Sequence, residues 1–195
     1  MKMPKKINGA GVILIDLNNN LLLVKDHNNK YSDFGGYHED IHDSLEKTAK
    51  CELREESLNL FNFYKLDYND NYFDCHYKNN IYYRCYFLKI NQEIDINLYY
   101  QNKKIINRKK KIRKCWKETE DICSVSLEEF KKNINNKNNN CNNINNIEIN
   151  LRNRTWKILK KFVKKNMNLP IIDVNLINEK KQFIKNTFSY ICPPK

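Results

Sequence analysis

Glu52, Glu55 and Glu56 are spaced at i, i+3 and i+4, which places three carboxylates on one side of any helix that carries them. Residues 44–58 predict such a helix. The stretch has no Gly or Pro, Asp43 and Glu46 have capping-box spacing, and Leu45, Ala49 and Leu53 recur every four residues as an apolar stripe. At roughly 100° per residue, Glu52 and Glu56 fall within or beside that stripe and Glu55 flanks them. An isolated buried carboxylate costs several kcal/mol, so such groups are paired, protonated or bound to metal. Hard oxygen donors suit magnesium or manganese. On periodicity alone the three acids could equally reach solvent or a basic neighbour. Gly35-Gly36 just upstream adds to the metal reading, because a glycine pair before a capped helix lets backbone approach a phosphate or a metal closely.

The same residues resemble the Nudix box, G-x5-E-x7-R-E-U-x-E-E-x-G-U, with U a bulky aliphatic residue. Gly36 matches the first glycine, Glu52-Leu53 the Glu-U pair and Glu55-Glu56 the Glu-Glu pair. Thr48-Ala49 stands where many members have a small residue, and residues 32–36 are similar to the lead-in of some members. Cys51 occupies the arginine position and Leu58 the late glycine position, and Asp43 takes the first acidic position only if one residue is inserted after Gly36. In the family that arginine orients the catalytic glutamates; Arg54 and Lys50 are the available substitutes.

The resemblance implies an α/β fold, a Nudix-like α/β/α sandwich with a mixed sheet. It also implies a Mg2+- or Mn2+-dependent pyrophosphohydrolase that cleaves a nucleoside diphosphate linked to another moiety. Glu52, Glu55 and Glu56 would hold the metal, with Asp43 and the Gly36 carbonyl in support. A glutamate outside the box often completes such a site, and Glu118 and Glu120 are the candidates, Glu118 preferred; one of these, or Glu55 or Glu56, would act as base. The substrate would be a nucleotide-type small molecule or the cap of an mRNA. The departures at Cys51 and Leu58 leave a second reading, a nucleotide- or RNA-binding module with impaired catalysis.

Composition sets the frame. The 195 residues carry a formal net charge of +12, which favours anionic partners, although lysine is abundant throughout. Lys103, Lys104, Arg108, Lys109, Lys110, Lys111, Arg113 and Lys114 form a dense basic run, preceded by Tyr99 and Tyr100 and followed by Trp116. It reads as a solvated loop or as an RNA- or phosphate-binding patch with aromatics placed to stack on bases. Seven cysteines without a Cys-x-x-Cys pair argue against a disulfide framework or a zinc site and for a reducing compartment. The apolar run 11–17 is too short to span a membrane. A cytoplasmic protein without a membrane partner is expected; no feature of the sequence sets an oligomeric state.

The elements that must position the acids follow from pattern. Residues 10–16 and 21–25 predict a hairpin around Asn18-Asn19-Asn20, and 72–77 with 81–90 an antiparallel pair. Residues 60–66 are a strand candidate. Helices are expected at 126–132, capped by Ser126, and at 151–165, with a short one near 178–188. Residues 133–146 are nearly all asparagine and are expected to form a disordered insertion that buries no core. The expected organisation is one domain over 1–165 and a tail over 166–195.

Overall fold

The computed structural model describes residues 8–39, 41–61, 68, 70–77, 80–109, 112, 114–135 and 138–172. Its centre is strand β1, Gly9–Ile15, a run of small and branched apolar residues buried along its whole length. Successive side chains of a strand point to opposite faces. Ala10, Val12 and Leu14 therefore join one apolar core, and Ile13 and Ile15 join another on the far side of the sheet.

β1 turns back through the asparagines into β2, Asn20–Lys25, as the pattern predicted, with Leu14 opposite Leu22. Asn19 adopts φ 59°, a left-handed conformation that asparagine tolerates well. β3 (Tyr31–Ser32) pairs with the far end of β2, and β4 (Phe34–Tyr37) pairs with the near end of β1. The sheet thus forks: β1 runs beside β4 over its first residues and beside β2 over its last. The helix α1, Leu45–Glu56, lies over this fork.

β5 (Tyr72–Tyr77) and β6 (Asn80–Ile90) form the expected antiparallel pair, and β6 lies parallel to β1, which makes the sheet mixed. Helix α2 (Ile96–Arg108) contains the first part of the basic run, where a solvated loop or a phosphate-binding patch is expected. A 3-10 turn at Lys114–Lys117 leads into β7 (Asp121–Ser126), antiparallel to β2 and also unforeseen. α3 (Leu127–Asn133) follows, with Ser126 as its N-cap residue but without a side-chain capping bond.

The asparagine stretch departs from expectation. β8 (Asn140–Asn142) and β9 (Glu148–Asn150) form a hairpin, and Cys141 and Ile149 are buried in the second core. The low-complexity composition hid two apolar anchors at the spacing a short hairpin needs, while Asn143 closes the turn by accepting from the Asn145 and Ile147 amides. α4 (Asn153–Lys165) follows, and β10 (Ile171–Ile172) joins the open edge of β6.

Ala49 and Leu53 of α1 and Tyr99 and Ile106 of α2 share the first core; Phe130 of α3 and Trp156, Ile158, Leu159 and Phe162 of α4 share the second. The molecule is an α/β/α sandwich around a mixed sheet, as expected. The strand candidate at 60–66 and the helix near 178–188 fall almost wholly outside the described residues. The six described cysteines are free, and among the described residues no helix is long and apolar enough to cross a membrane.

Candidate functional site

The fork in the sheet opens a cleft of about 380 Å3 beneath α1. Gly35, Gly36, Glu52, Glu55, Glu56 and Glu118 all line it, so the glycine pair, the three helix glutamates and Glu118 face one cleft. β4 is held to β1 by a ladder in which Gly36 faces Ala10 and Gly35 faces Gly11. The His38 amide donates to the Asn8 carbonyl at 2.9 Å. Alternation along an antiparallel ladder then turns the Gly35 N–H away from β1. It donates instead to Glu56 Oε2, at 2.6 Å.

Gly36 is required for space. A Cβ there would fall on the Glu52 carboxylate, so strand and helix approach this closely only because the residue has no side chain. The Gly36 carbonyl lies against Gly9 in β1. The role of Gly36 that the geometry displays is to admit Glu52.

Glu56 is half-buried and its carboxyl is pushed well above the usual range. Burial is the largest cause and the charge of Glu52 the next, opposed by the hydrogen bond from Gly35. Two carboxylates converging under a glycine strand form a hard-oxygen donor set whose mutual repulsion a divalent cation would relieve. Glu52, Glu55 and Glu56 offer the oxygen chemistry that such an ion takes, and all three line the cleft. Among the described residues, however, no three acidic, histidine or cysteine side chains are already gathered into a ready-made metal cluster.

The helix begins one residue later than its sequence suggested. Ser44 is the N-cap, and its hydroxyl accepts from the Lys47 amide at 3.1 Å. Asp43 is 76% exposed, pairs with Lys47 at 3.3 Å and does not line the cleft. At the other end Leu58, at the position where the resemblance expects a glycine, has φ 55°, in the left-handed region that favours glycine, and its side chain is buried.

Cys51 is buried and lines the cleft. The substitutes expected for the arginine are Arg54 and Lys50. Arg54 donates to Asn59 Oδ1 at 3.1 Å and lies over Trp116, and Lys50 pairs with Glu46. Glu118 reaches the cleft from the connection before β7. Glu120 does not: its backbone is fixed by the Lys25 carbonyl and by Lys103, and its side chain is exposed.

The basic run divides. Lys103 is half-buried and donates to the Glu120 carbonyl, and burial lowers its ammonium pKa. Lys104, Arg108 and Lys114 are exposed, and Lys109 is half-buried. Lys110, Lys111 and Arg113 lie outside the described residues. None of the described members lines the cleft.

Sequence reasoning missed several cleft residues, Lys25, Arg152 and His42 among them. Lys25 ends β2, and Arg152 pairs with Asp26 at the rim. His42 is buried, and its Nδ1 lies 3.1 Å from Thr48 Oγ1, which His38 Nδ1 also approaches at 2.8 Å. Burial lowers the His42 pKa, and its Nε2 has no hydrogen-bond partner among the described residues. A signal existed for His42. It stands six residues after Gly36, where the box places its first acid when no insertion is made.

No protein-family model matches the chain, and no curated protein does. In structure it is similar to an Ap4A hydrolase from C. elegans, solved as a binary complex, at 14% identity and TM-score 0.48 over 81% of this chain and 97% of that one. It is similar to a MutT protein from Methanosarcina mazei Go1 at 12% identity and TM-score 0.44, over 86% and 100% of the two chains. It is also similar to a mutant of the Bacillus subtilis pyrophosphohydrolase BsRppH at 16% identity and TM-score 0.36, over 64% and 66%.

Proposed function

We propose that the chain is a Nudix-type pyrophosphohydrolase that uses Mg2+ or Mn2+ to cleave a nucleoside diphosphate linked to another moiety. The observation that carries the reading is the convergence of Glu52, Glu55, Glu56 and Glu118 on one cleft floored by Gly35-Gly36. Glu52, Glu55 and Glu56 would hold the ion. When bound, the metal supplies positive charge that offsets the phosphate oxygens and makes water more acidic. The Gly35 N–H holds one oxygen of Glu56, and this carboxylate would help to hold the cation. Glu118 takes the proton from the attacking water at its carboxylate. Lys25 and Arg152 at the rim face the negative charge of the diphosphate. Asp43 and Glu120 lie outside the cleft and are left out of this assignment.

The finer substrate proposed is a capped RNA, because the exposed Lys104, Arg108 and Lys114 precede Glu118 closely in the chain and offer phosphate contacts beyond the cleft. Purified protein incubated with a panel of nucleoside diphosphate derivatives and capped RNA, with and without manganese, tests both levels. Turnover is expected with manganese, and Glu56→Gln should lower it roughly a hundredfold or more. Absence of any turnover above that variant would remove the enzyme reading. Cap release no better than hydrolysis of free dinucleotides at low salt would remove the RNA substrate alone.

A second reading, a binding module with impaired catalysis, is favoured by one observation: a buried cysteine stands at the arginine position. Cys51→Arg separates the two. A rise in turnover would mark the missing arginine as the defect; unchanged turnover in an active wild type would mean that the site works without it.

A further inference from the structure

A second set of titratable groups lies outside the cleft, on the other side of β4. Asp33, between β3 and β4, is fully buried, and three side chains converge on it. The Tyr83 hydroxyl donates to Oδ2 at 2.5 Å. The Thr155 hydroxyl donates to Oδ1 at 2.8 Å, and Arg154 Nη2 donates to the same oxygen at 3.2 Å. The Arg154 guanidinium stacks on the Tyr83 ring, 3.7 Å from its centroid. An ion pair enclosed in this way is often no more stabilising than apolar residues of the same size, so its presence calls for a job besides stability.

The place of the Tyr83 hydroxyl supplies one. Gly11 and Gly35 stand directly opposite each other in the β1–β4 ladder. The hydroxyl occupies the space that a Cβ on either would need, on its way to Asp33. The Tyr83 hydroxyl, anchored by Asp33, therefore clamps Gly35 against Gly11, while the Gly35 N–H holds Glu56. Thr155 and Arg154 come from the first turn of α4, so the clamp also ties that helix to the fork in the sheet.

We infer that Tyr83, Asp33 and Arg154 are positioning residues that fix the Gly35 N–H and, through it, the orientation of Glu56 toward the cation. The inference rests on the reading of Glu56 as a metal-holding group. Outer contacts of this kind orient the groups that touch a metal, and their loss commonly weakens metal binding ten- to a hundredfold. Tyr83 acts by filling the slot between two glycines, Asp33 by anchoring the hydroxyl, and Arg154 by keeping Asp33 ionised.

Tyr83→Phe deletes one oxygen and keeps the ring that Arg154 stacks on. In the full-length variant the Gly35 amide proton resonance should move upfield and exchange faster with deuterium, because its short bond to a carboxylate loosens. Calorimetric Mn2+ affinity should fall about tenfold, and kcat should fall with KM little changed. Asp33→Asn, which replaces one of the two accepting oxygens with an amide NH2 and removes the charge facing Arg154, serves as the second variant and should change the same signals. A folded Tyr83→Phe or Asp33→Asn protein with unchanged Gly35 resonance and unchanged Mn2+ affinity would overturn the inference. A wild-type protein that binds no Mn2+ would instead remove the functional reading; the Gly35 resonance would then decide the clamp by itself.

Discussion

At the scale of single residues, the proposed chemistry rests on charge held where charge is expensive. Glu56 and Asp33 lie on opposite sides of the same short strand, and their environments push them apart. Burial raises Glu56, with the Glu52 charge adding to it. Burial also raises Asp33, but the Arg154 charge and three hydrogen bonds outweigh that and hold it below its usual value. The linkage signs are therefore opposite. The raised Glu56 makes the metal-free protein less stable as pH rises from the ordinary carboxylate range, near 4.3, through the native pKa. The depressed Asp33 adds stability that is complete above about 3.9 and is lost as pH falls through its native value. Glu56→Gln should thus raise the melting temperature of the metal-free protein at pH 7 while lowering turnover, and the gain should vanish near pH 4. Saturating Mn2+ should reverse the order, since a ligand at 100 times its Kd stabilises the wild type by about 2.7 kcal/mol. Melting curves at two pH values with and without manganese check this; a metal-free Glu56→Gln protein less stable than wild type at pH 7 would contradict it.

At the scale of elements, α1 carries most of the site, and its first turn offers a clean comparison. Two adjacent residues both have the side chain of a good cap, but only Ser44 accepts the Lys47 amide. Ser44→Ala should cost about 1 kcal/mol. Asp43→Ala removes an exposed ion pair and should stay within roughly 0.5 kcal/mol. Denaturant titration separates the two, and equal losses would return the cap to Asp43. The case also shows what was legible. The helix, its apolar stripe and its carboxylate face follow from strong periodicity, so α1 was readable to within a residue at its start. The β1–β2 hairpin, the β5–β6 pair and α4 were readable for the same reason. β7 was not, because its buried centre is only Ile122-Cys123-Ser124-Val125, beside a charged run that dominated the pattern. The β8–β9 hairpin was hidden by composition, although Cys141 and Ile149 anchor it. Among site residues, the three glutamates and Gly36 were visible through spacing. Lys25, Arg152 and the Asp33 clamp were invisible, because contacts between residues more than a hundred positions apart, such as Asp33 with Thr155, leave no local period.

At the scale of the whole molecule, the net charge of +12 guarantees attraction to polyanions but does not say where they bind. The structure divides the basic run into cations that are committed and cations that are available. Lys103 is committed, with its ammonium on the Glu120 carbonyl beside the Lys25 end of β2. Lys104, Arg108 and Lys114 are exposed. If these three contact RNA phosphates, each should contribute about 0.7 to the slope of log affinity against log salt for a single strand. The triple change of Lys104, Arg108 and Lys114 to Gln should therefore flatten that slope by about 2 and weaken RNA binding, while hydrolysis of a small nucleotide derivative in the cleft stays near the wild-type rate. Lys103→Gln should behave in the opposite way. It removes a bond that positions the segment leading from Glu118 into β7, so it should disturb hydrolysis of small and large substrates alike and leave the salt slope nearly unchanged. A salt slope unaffected by the triple change would assign polyanion binding to another face; the exposed lysines of α4, on the far side of the sheet from α1, would then be the surface to neutralise next.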